Sequence, residues 1–383
     1  MRAVVWHGRE DVRVDDVEDP KIEEDTDAIV RITSTAICGS DLHLYSKLWP
    51  VMAEGDIIGH EPMGVVEEVG AAVTHIAPGD RVVVPFNIAC GSCWLCEREL
   101  YSQCDTTQNK SVRKGGSLFG YTHLYGAVPG AQAEYLRVPK AHFGPIKVPE
   151  GPEDDRFLYL SDVLPTAWQA VVYAEMAGGE TLGVWGLGPI GQMCVRMAFH
   201  QGAGRVIAVD TVPERLRLAE EWGAETIDFG TATDVTDAIW EMTEGRGVDA
   251  AIDAVGMEAG GSSADAVWTT LKLQTDKLAA LRNSVGSVRR GGTVSITGVY
   301  SGHYPLFPLG DLFDKQITVR MGQANVRRWV DDLLPLLSDD DPLGVDSLAT
   351  HHLPLDQAPY GYEVFQQKRD GAIKVVLHPV DDC

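Results

Sequence analysis

The chain has 383 residues, of which 44% are hydrophobic and 23% charged, as expected for a globular protein of two or three domains. Its formal net charge of −24 argues against nucleic acid as a partner, because phosphate binding needs clustered lysine and arginine. We find no apolar run near the roughly 18 residues of a membrane helix and no secretory signal, so we expect a cytoplasmic protein with no membrane partner.

The predicted elements change character along the chain. The first third carries short β-branched runs between glycine, proline and aspartate turn signals, at 28–33, 64–69 and 81–84. A buried helix is predicted at 165–173. Beyond it, strands alternate with helices that begin near Ile190 and Pro213, which indicates a parallel sheet built from βαβ units. The predicted strands of this part and of the C-terminus lie at 181–185, 205–209, 250–253, 293–297 and 373–377.

A glycine-rich turn follows the predicted strand at 181–185. It reads Gly186-Leu187-Gly188-Pro189-Ile190-Gly191 and opens a helix, so pyrophosphate can approach the backbone and the helix N-terminus. Asp210 ends the next strand, where a carboxylate accepts hydrogen bonds from a ribose and repels a 2′-phosphate, so the pattern predicts NAD. Arg215 is either a second ribose contact or a surface residue. The alternative for the whole motif is a glycine-rich turn that binds nothing.

Four cysteines lie within fifteen residues of one another. They are Cys90, Cys93, Cys96 and Cys104. In a reducing compartment, such a cluster indicates a metal rather than disulfides. Four thiolates with no open position suit a structural zinc, and an iron–sulfur cluster is the alternative.

A second zinc site is predicted from residues far apart in the sequence. Cys38 and His60 supply good zinc ligands, and a catalytic site needs a third ligand and an open position. Asp162 is flanked by apolar residues, and a buried carboxylate needs a partner such as a metal. The alternative is that Ser161 or Asp162 caps a helix. Cys194 lies in the predicted helix after the glycine-rich turn and is better explained as a core residue.

The chain resembles the zinc-containing medium-chain dehydrogenase/reductase superfamily along essentially its whole length. The matching segments are Cys38 to His43, Gly59-His60-Glu61, Cys90 to Cys104, Gly186 to Gly191 with Asp210, and Asp253-Ala254-Val255-Gly256. The resemblance implies an α/β protein in which a GroES-like, β-rich catalytic domain is interrupted by a Rossmann domain with a doubly wound parallel sheet. We expect the catalytic domain with both zinc sites at 1–161, the NAD-binding domain at 162–314, and a return to the catalytic domain at 315–383.

Two segments, 85–91 and 160–166, resemble the formaldehyde dehydrogenase and dismutase branch, which uses aspartate as the third zinc ligand. The chain departs from many alcohol dehydrogenases at Gly39, where they carry a basic residue for the pyrophosphate. Lys374 is the candidate for that contact. The insertion at 257–283, with a helix expected at 277–281, resembles one that lies over the cofactor in this branch, so we expect slow cofactor release. An insertion without a role is the alternative.

The resemblance also implies roles around the catalytic zinc. Ser40 and His43 match the hydroxyl and the terminal base of a proton relay, with a turn hydroxyl and a surface histidine as the alternatives. Asp41 matches the acid that orients the ligand His60. Glu61 matches an acid behind the zinc that exchanges with a water ligand, and a strand residue paired elsewhere is its alternative.

Three aromatic residues are candidates for the substrate pocket. Phe86 matches a pocket position of the family, and Trp49 and Trp168 are possible walls or core residues. We predict an enzyme with two zinc ions per chain that transfers hydride between NAD and a small alcohol or hydrated aldehyde, and that forms a homodimer or homotetramer. A polyol, sugar or amino-alcohol dehydrogenase is the alternative. A zinc-free quinone reductase or a structural relative would have no use for the ligand set.

Overall fold

A computed structural model describes residues 1–47, 49–256, 278–300 and 307–379. The chain divides into two compact units. One comprises Met1–Pro165 with Ala324–Cys383, and the other comprises Thr166–Gln323. Within the described residues, no helix has both the length and the apolar character needed to cross a bilayer.

The strands and helices are numbered in chain order. The strands are β1 (Arg2–Gly8), β2 (Asp11–Asp16), β3 (Ala28–Ile37), β4 (Glu61–Val69), β5 (Arg81–Val83), β6 (Tyr135–Val138), β7 (Ile146–Lys147), β8 (Thr181–Trp185), β9 (Arg205–Asp210), β10 (Glu225–Asp228), β11 (Val248–Asp253), β12 (Val288–Ile296), β13 (Thr318–Met321), β14 (His351–Pro354) and β15 (Val375–His378). The helices are α1 (Gly39–Ser46), α2 (Asp154–Leu158), α3 (Val163–Tyr173), α4 (Pro189–His200), α5 (Pro213–Glu221), α6 (Val235–Met242), α7 (Ala279–Ser287), α8 (Leu309–Asp314), α9 (Val330–Leu333) and α10 (Ala358–Gln367).

The first unit is built on a mostly antiparallel sheet. Its strand order is β14-β15-β3-β4-β5-β7, with β6 also paired to β3, and β1 and β2 form a separate hairpin. One apolar layer packs around Val30, Val66 and Val82. A second layer packs around Ile37 and Tyr362. The C-terminal strands thus complete the sheet begun by the N-terminal third, as expected for a GroES-like domain interrupted in sequence.

Pairing of β3 with β4 positions the functional residues of this unit. Ala36 pairs with Glu61 near the end of β3 and at the start of β4. Because Cys38 follows the last residue of β3 and His60 precedes β4, this register brings residues 22 positions apart to the same edge of the sheet.

The second unit is a six-stranded parallel sheet with helices between its strands. The strand order is β10-β9-β8-β11-β12-β13, so the first strand of the unit pairs with both the second and the fourth. This 3-2-1-4-5-6 order defines the Rossmann fold, whose dinucleotide site lies where the strand order reverses. The core contains Trp185, Ile207 and Val294.

The predicted elements agree with the described ones in type, and several bounds differ. Helix α3 begins at Val163 rather than at Pro165, which a first-turn proline permits. Strand β12 begins at Val288 rather than at Thr293, and its pairing with β11 shifts register across the Gly291-Gly292 pair. The helix expected at 277–281 corresponds to the start of α7. The rest of the insertion, 257–277, lies outside the described residues.

Candidate metal and dinucleotide sites

The four clustered cysteines bring their sulfur atoms together. All four Sγ atoms lie within 4.8 Å of one another, with 4.0 Å between Cys90 and Cys96 and 3.9 Å between Cys93 and Cys104. Sulfurs at tetrahedral positions around zinc are separated by about 3.8 Å, whereas a disulfide needs about 2.0 Å. The described cysteines are free thiols. The spacing fits a four-thiolate zinc centre.

Polar groups around this cluster stabilise negative sulfur. Thr106 Oγ1 donates to Cys90 Sγ at 3.2 Å, and the amide of Cys90 donates to Cys104 Sγ at 3.4 Å. Burial raises the pKa of the Cys90 thiol, but the Thr106 hydroxyl and neighbouring amides outweigh it and lower this pKa to about 6. Burial and the neighbouring Cys93 and Cys104 raise the pKa of Cys96, so these hydrogen bonds favour the thiolate at Cys90 and not at every cysteine of the loop. The thiolate is the form that binds metal.

A second set of potential ligands is buried in the same unit. Cys38 Sγ lies 3.5 Å from Asp162 Oδ2, and His60 Nε2 lies 3.4 Å from the same oxygen. Sulfur, nitrogen and oxygen ligands at tetrahedral positions around zinc lie about 3.4–3.6 Å apart, so the three atoms fit one ion. Glu61 contributes a carboxylate oxygen to the same group, within 4.8 Å.

Asp162 reaches this group from a separate segment. It follows a short 3-10 helix, Tyr159–Ser161, and directly precedes α3. The amide of Phe86 donates to Ser161 O at 3.0 Å and ties this segment to the chain after β5. A residue that precedes a helix is also in position to cap it. The Oδ2 atom nevertheless faces the thiol and the imidazole.

The electrostatics of this group call for a cation. Burial and the charges of Asp162 and Glu61 together raise the pKa of the Cys38 thiol to about 11, although His60 opposes the rise. A thiol surrounded by carboxylates keeps its proton unless a positive charge enters, and a divalent ion reverses the balance. Cys38, His60, Glu61 and Asp162 are all buried. The donor set fits a zinc ion bound by three protein ligands with one position open.

Asp41 contacts both the residue that follows β3 and the residue that precedes β4. Its Oδ1 lies 3.0 Å from His60 Nδ1, and its Oδ2 accepts hydrogen bonds from the Cys38 amide at 3.0 Å and from Gln132 Nε2 at 3.2 Å. Tyr362 in turn donates to Gln132 Oε1 at 2.8 Å. Asp41 thus fixes the imidazole whose opposite nitrogen faces Asp162.

Glu61 forms a fully buried ion pair. Its Oε1 accepts from Lys374 Nζ at 2.5 Å, and both side chains are 0% exposed. Lys374 directly precedes β15, so the returning C-terminal segment places a positive charge behind the cluster. The role of Lys374 at the pyrophosphate stays a prediction.

The two relay candidates lie in helix α1. Ser40 Oγ is 3.2 Å from His60 Nε2, and His43 lies one helical turn further on. His43 is 3% exposed, so its ring is buried rather than on the surface. Residues three apart share a helix face, so Ser40 and His43 lie on the same side of α1.

The glycine-rich turn of the second unit has the backbone that its motif predicts. Gly186 has φ of 87°. A Cβ on Gly191 would lie 1.7 Å from Gly186 O, so only glycine allows helix α4 to approach the turn. Gly188, Pro189 and Ile190 complete the entry into that helix.

Asp210 lies directly beside this turn. Its Oδ2 accepts from the Leu187 amide at 2.6 Å, and its Oδ1 accepts from the amides of Thr211 and Val212. Arg215 Nη1 is 4.0 Å from Asp210 Oδ2. One carboxylate and one guanidinium thus flank the loop that the motif assigns to the dinucleotide.

The three predicted pocket residues belong to different parts of the chain. Phe86 is buried, with its ring edge-on to His60 at 6.2 Å. Trp168 belongs to the second unit, where its ring lies 6.3 Å from His200. Trp49 begins a short 3-10 helix, and its side chain is outside the described part of the chain. Sequence reasoning missed Tyr121, whose ring lies 6.4 Å from that of His60, because no local motif marks it.

Comparisons with known proteins agree with this architecture. The family model of the alcohol dehydrogenase GroES-like domain matches residues 24–150, and that of the zinc-binding dehydrogenase matches residues 189–272. An uncharacterised zinc-type alcohol dehydrogenase-like protein of Bacillus subtilis is 44% identical over 99% of this chain and 100% of its own length. The formaldehyde dismutase of Pseudomonas putida is 33% identical, with 99% and 97% covered.

Solved structures give the same assignment. The alcohol dehydrogenase of Thermus sp. ATN1 superposes with a TM-score of 0.82 at 36% identity and with 99% of each chain covered. The chain therefore belongs to the zinc-type alcohol dehydrogenase family, and it is a zinc-binding oxidoreductase. The expected superfamily and the expected fold, a GroES-like domain with a Rossmann domain, are confirmed. Formaldehyde dismutase is among the relatives, at lower identity than the zinc-type alcohol dehydrogenase-like protein.

Proposed function

We propose that this enzyme oxidises a small alcohol or a hydrated aldehyde with NAD, at a zinc ion held by Cys38, His60 and Asp162. The observation that carries the proposal is that Cys38 Sγ and His60 Nε2 lie 3.5 Å and 3.4 Å from Asp162 Oδ2, with all three residues buried. The second zinc is assigned to Cys90, Cys93, Cys96 and Cys104, where four thiolates leave no position for a substrate.

Zinc bound there would act as a Lewis acid that lowers the pKa of a hydroxyl group. Asp41 keeps the His60 ring in its ligand orientation, and the Lys374 ammonium balances the charge of Glu61 behind the ligands. Ser40 Oγ, which lies next to His60 Nε2, takes the hydroxyl proton and passes it toward the His43 imidazole. These residues thus supply orientation, charge balance and an exit for the proton.

The aromatic residues near His60 support the proposed substrate class. Phe86 and Tyr121 set aromatic edges against His60, which favours a small substrate, and Trp49 and Trp168 are proposed as further walls. A hydrated aldehyde carries the same O–H and C–H groups as an alcohol, so one site can oxidise both. The likeness to formaldehyde dismutase supports this substrate class.

A polyol or a sugar alcohol is the second candidate. The 2R,3R-butanediol dehydrogenase of Bacillus subtilis shares 25% identity and superposes with a TM-score of 0.74. A diol needs a hydrogen-bonding partner for its second hydroxyl. Polar side chains on the side of the site opposite Phe86 would favour a diol, and aromatic side chains there would disfavour it.

NAD is proposed as the cofactor in preference to NADP. Asp210 places a carboxylate at the end of β9, where it accepts ribose hydroxyls and repels a 2′-phosphate. A related zinc-binding dehydrogenase of Sinorhizobium meliloti, 26% identical, is bound to NADP, so the preference needs its own measurement.

We propose that the protein assembles as a homodimer or homotetramer. We also propose that it is located in the cytoplasm. Among the described strands, β13 is at the edge of its sheet, and Met321 on it is 61% exposed. Phe313 in the preceding helix α8 is 89% exposed. An apolar sheet edge can be covered by the same edge of a second copy.

The deciding experiment is an NADH-formation assay over short alcohols, aldehydes, diols and sugar alcohols, at equal concentrations. We expect the highest kcat/KM with a short alcohol or a short aldehyde. A preference for a diol or sugar alcohol would favour the second candidate. If none of the panel gives NADH with zinc-replete protein, the proposed reaction is wrong.

A further inference from the structure

A third group of metal-binding side chains lies in the first unit, apart from both centres described above. Asp155 Oδ2 is 3.0 Å from His352 Nδ1 and 3.5 Å from His378 Nε2. One donor atom from each residue lies within 4.8 Å of the other two. We propose that Asp155, His352 and His378 form a surface site for a divalent transition metal ion of the nickel, copper and zinc group.

The sheet places the two histidines on one face. Strands β14 and β15 are parallel, and His352 pairs with Val376 while Pro354 pairs with His378. The histidines are therefore diagonal neighbours two positions apart, which point to the same side of the sheet. Their rings stack with 5.9 Å between centroids and 13° between planes. Two imidazoles are thus presented on neighbouring strands.

The carboxylate is oriented by a separate residue. Asp155 lies in the first turn of α2, and its Oδ1 accepts a hydrogen bond from Ser34 Oγ at 2.5 Å. Ser34 belongs to β3, which pairs with β15 through Thr35 and Leu377. The hydroxyl occupies one carboxylate oxygen and leaves the other facing the imidazoles. A hydrogen bond of this kind to a ligand oxygen is typical of metal sites.

The distances and the ligand types select the class of ion. Ligands about 2.1 Å from a common ion lie about 3.0 Å apart at right angles and about 3.4 Å apart at tetrahedral angles, and the observed distances of 3.0 and 3.5 Å are close to these values. Two imidazoles and one carboxylate suit zinc, nickel or copper, whereas magnesium prefers oxygen ligands only. The net charge of −24 raises the local concentration of cations.

Solvent exposure distinguishes this group from the buried group of Cys38, His60 and Asp162. The side chains of Asp155, His352 and His378 are 25%, 51% and 36% exposed, so water can complete the coordination. Helix α2 leads through Tyr159–Ser161 to Asp162. An ion here would tie the start of that segment to β14 and β15, and we therefore expect it to stabilise the first unit.

The test is equilibrium dialysis of tag-free enzyme, already loaded with its two zinc ions, against added zinc chloride at pH 7.5. We expect one further equivalent of zinc in the wild type, with a higher midpoint of thermal unfolding. Magnesium chloride at the same concentration should not compete. The added equivalent should be lost in His352→Ala and in His378→Ala. Ser34→Ala should bind it about 10-fold more weakly.

His351→Ala is the matched control. His351 is the neighbouring residue of β14, points to the opposite face, and lies with its Nδ1 3.0 Å from Thr350 Oγ1. This variant should keep the third equivalent. Circular dichroism checks the fold of each variant, and His352→Gln replaces His352→Ala if that variant fails to fold.

Two results would overturn the proposal. The wild type could bind no equivalent beyond its two zinc ions, or His352→Ala and His378→Ala could bind the same amount as wild type. Either result reduces the group to ordinary ion pairs between Asp155 and the two histidines. NADH formation without added metal, measured in the same samples, tests the proposed function separately.

Discussion

The two proposed zinc centres of this protein are assembled in opposite ways. The four-cysteine centre takes all its ligands from fifteen consecutive residues, within one loop. The Cys38, His60 and Asp162 group takes its ligands from three segments, with 124 positions between the first and the last. The first depends on local spacing, and the second depends on strand register and on the segment that precedes α3.

The two centres also differ in what their donors allow. Four sulfurs occupy all four coordination positions of a tetrahedral zinc ion, which then cross-links the loop and stabilises it. One sulfur, one nitrogen and one oxygen would leave a position open, with Asp41 holding the His60 ring and Lys374 paired to Glu61 beside them. From this comparison we expect catalysis at the centre with the open position and a contribution to folding stability from the four-cysteine centre.

The largest expected effect is the loss of activity on chelation. Dipicolinate reaches an ion with an open position more readily than a closed one, so it should remove one zinc of the two and abolish NADH formation. Zinc content by elemental analysis and activity are followed together over time.

Added zinc should restore the activity of the chelated enzyme. Far-UV circular dichroism during chelation serves as the control for unfolding. If both zinc ions leave at the same rate, or if enzyme with one zinc keeps full activity, the division of roles between the centres is wrong.

The next effect concerns stability rather than activity. Cys104→Ser removes one sulfur of the closed centre, so we expect the midpoint of thermal unfolding to fall by on the order of 10 °C. Activity per mole of folded enzyme at 25 °C should change little. Cys194→Ser, at a buried thiol of helix α4, is the control for losing a cysteine. A large loss of kcat with an unchanged midpoint would reverse the assignment.

A smaller effect is expected from the residue that orients His60. Asp41→Asn keeps the size of the side chain but weakens its hold on His60 Nδ1, so kcat/KM should fall about 10- to 100-fold and zinc should dissociate faster. Asp25→Asn, at an exposed aspartate of the same unit, is the control. Unchanged zinc affinity with unchanged kcat/KM would remove Asp41 from the site.

The smallest effect is on cofactor choice, in the unit that holds neither metal centre. Asp210→Ala removes the carboxylate that repels a 2′-phosphate, so the preference for NAD over NADP should narrow by about 10-fold or more. Asp228→Ala is the matched control, since Asp228 ends the neighbouring strand β10 and caps the Gly230 amide. A wild-type preference for NADP would contradict the assignment.

Much of the fold could be predicted because its signals are local. Strand β8 and the glycine-rich turn after it have the predicted positions, since the apolar run and the glycines need no distant partner. Only the second half of strand β12 was predicted, because the segment from Val288 to Gly292 joins the strand through a shifted pairing with β11, which no local pattern indicates.

The sites divide in the same way. Cysteine spacing alone indicates the four-sulfur centre. By contrast, the contacts of Tyr121 with His60, of Gln132 with Asp41 and of Lys374 with Glu61 join residues far apart in sequence, and no spacing rule predicts them. Lys374 reaches Glu61 because the C-terminal segment returns to the sheet, whereas Tyr121 and Gln132 come from the segment between β5 and β6.

The most direct test of the account is the zinc content of Asp162→Ala beside that of the wild type, with NADH formation measured in the same samples. We predict two zinc ions in the wild type, and in the variant one zinc ion and no activity, with the four-cysteine centre intact. A variant that keeps two zinc ions and wild-type activity would contradict the account, because Asp162 would then cap helix α3 and leave the metal to other ligands.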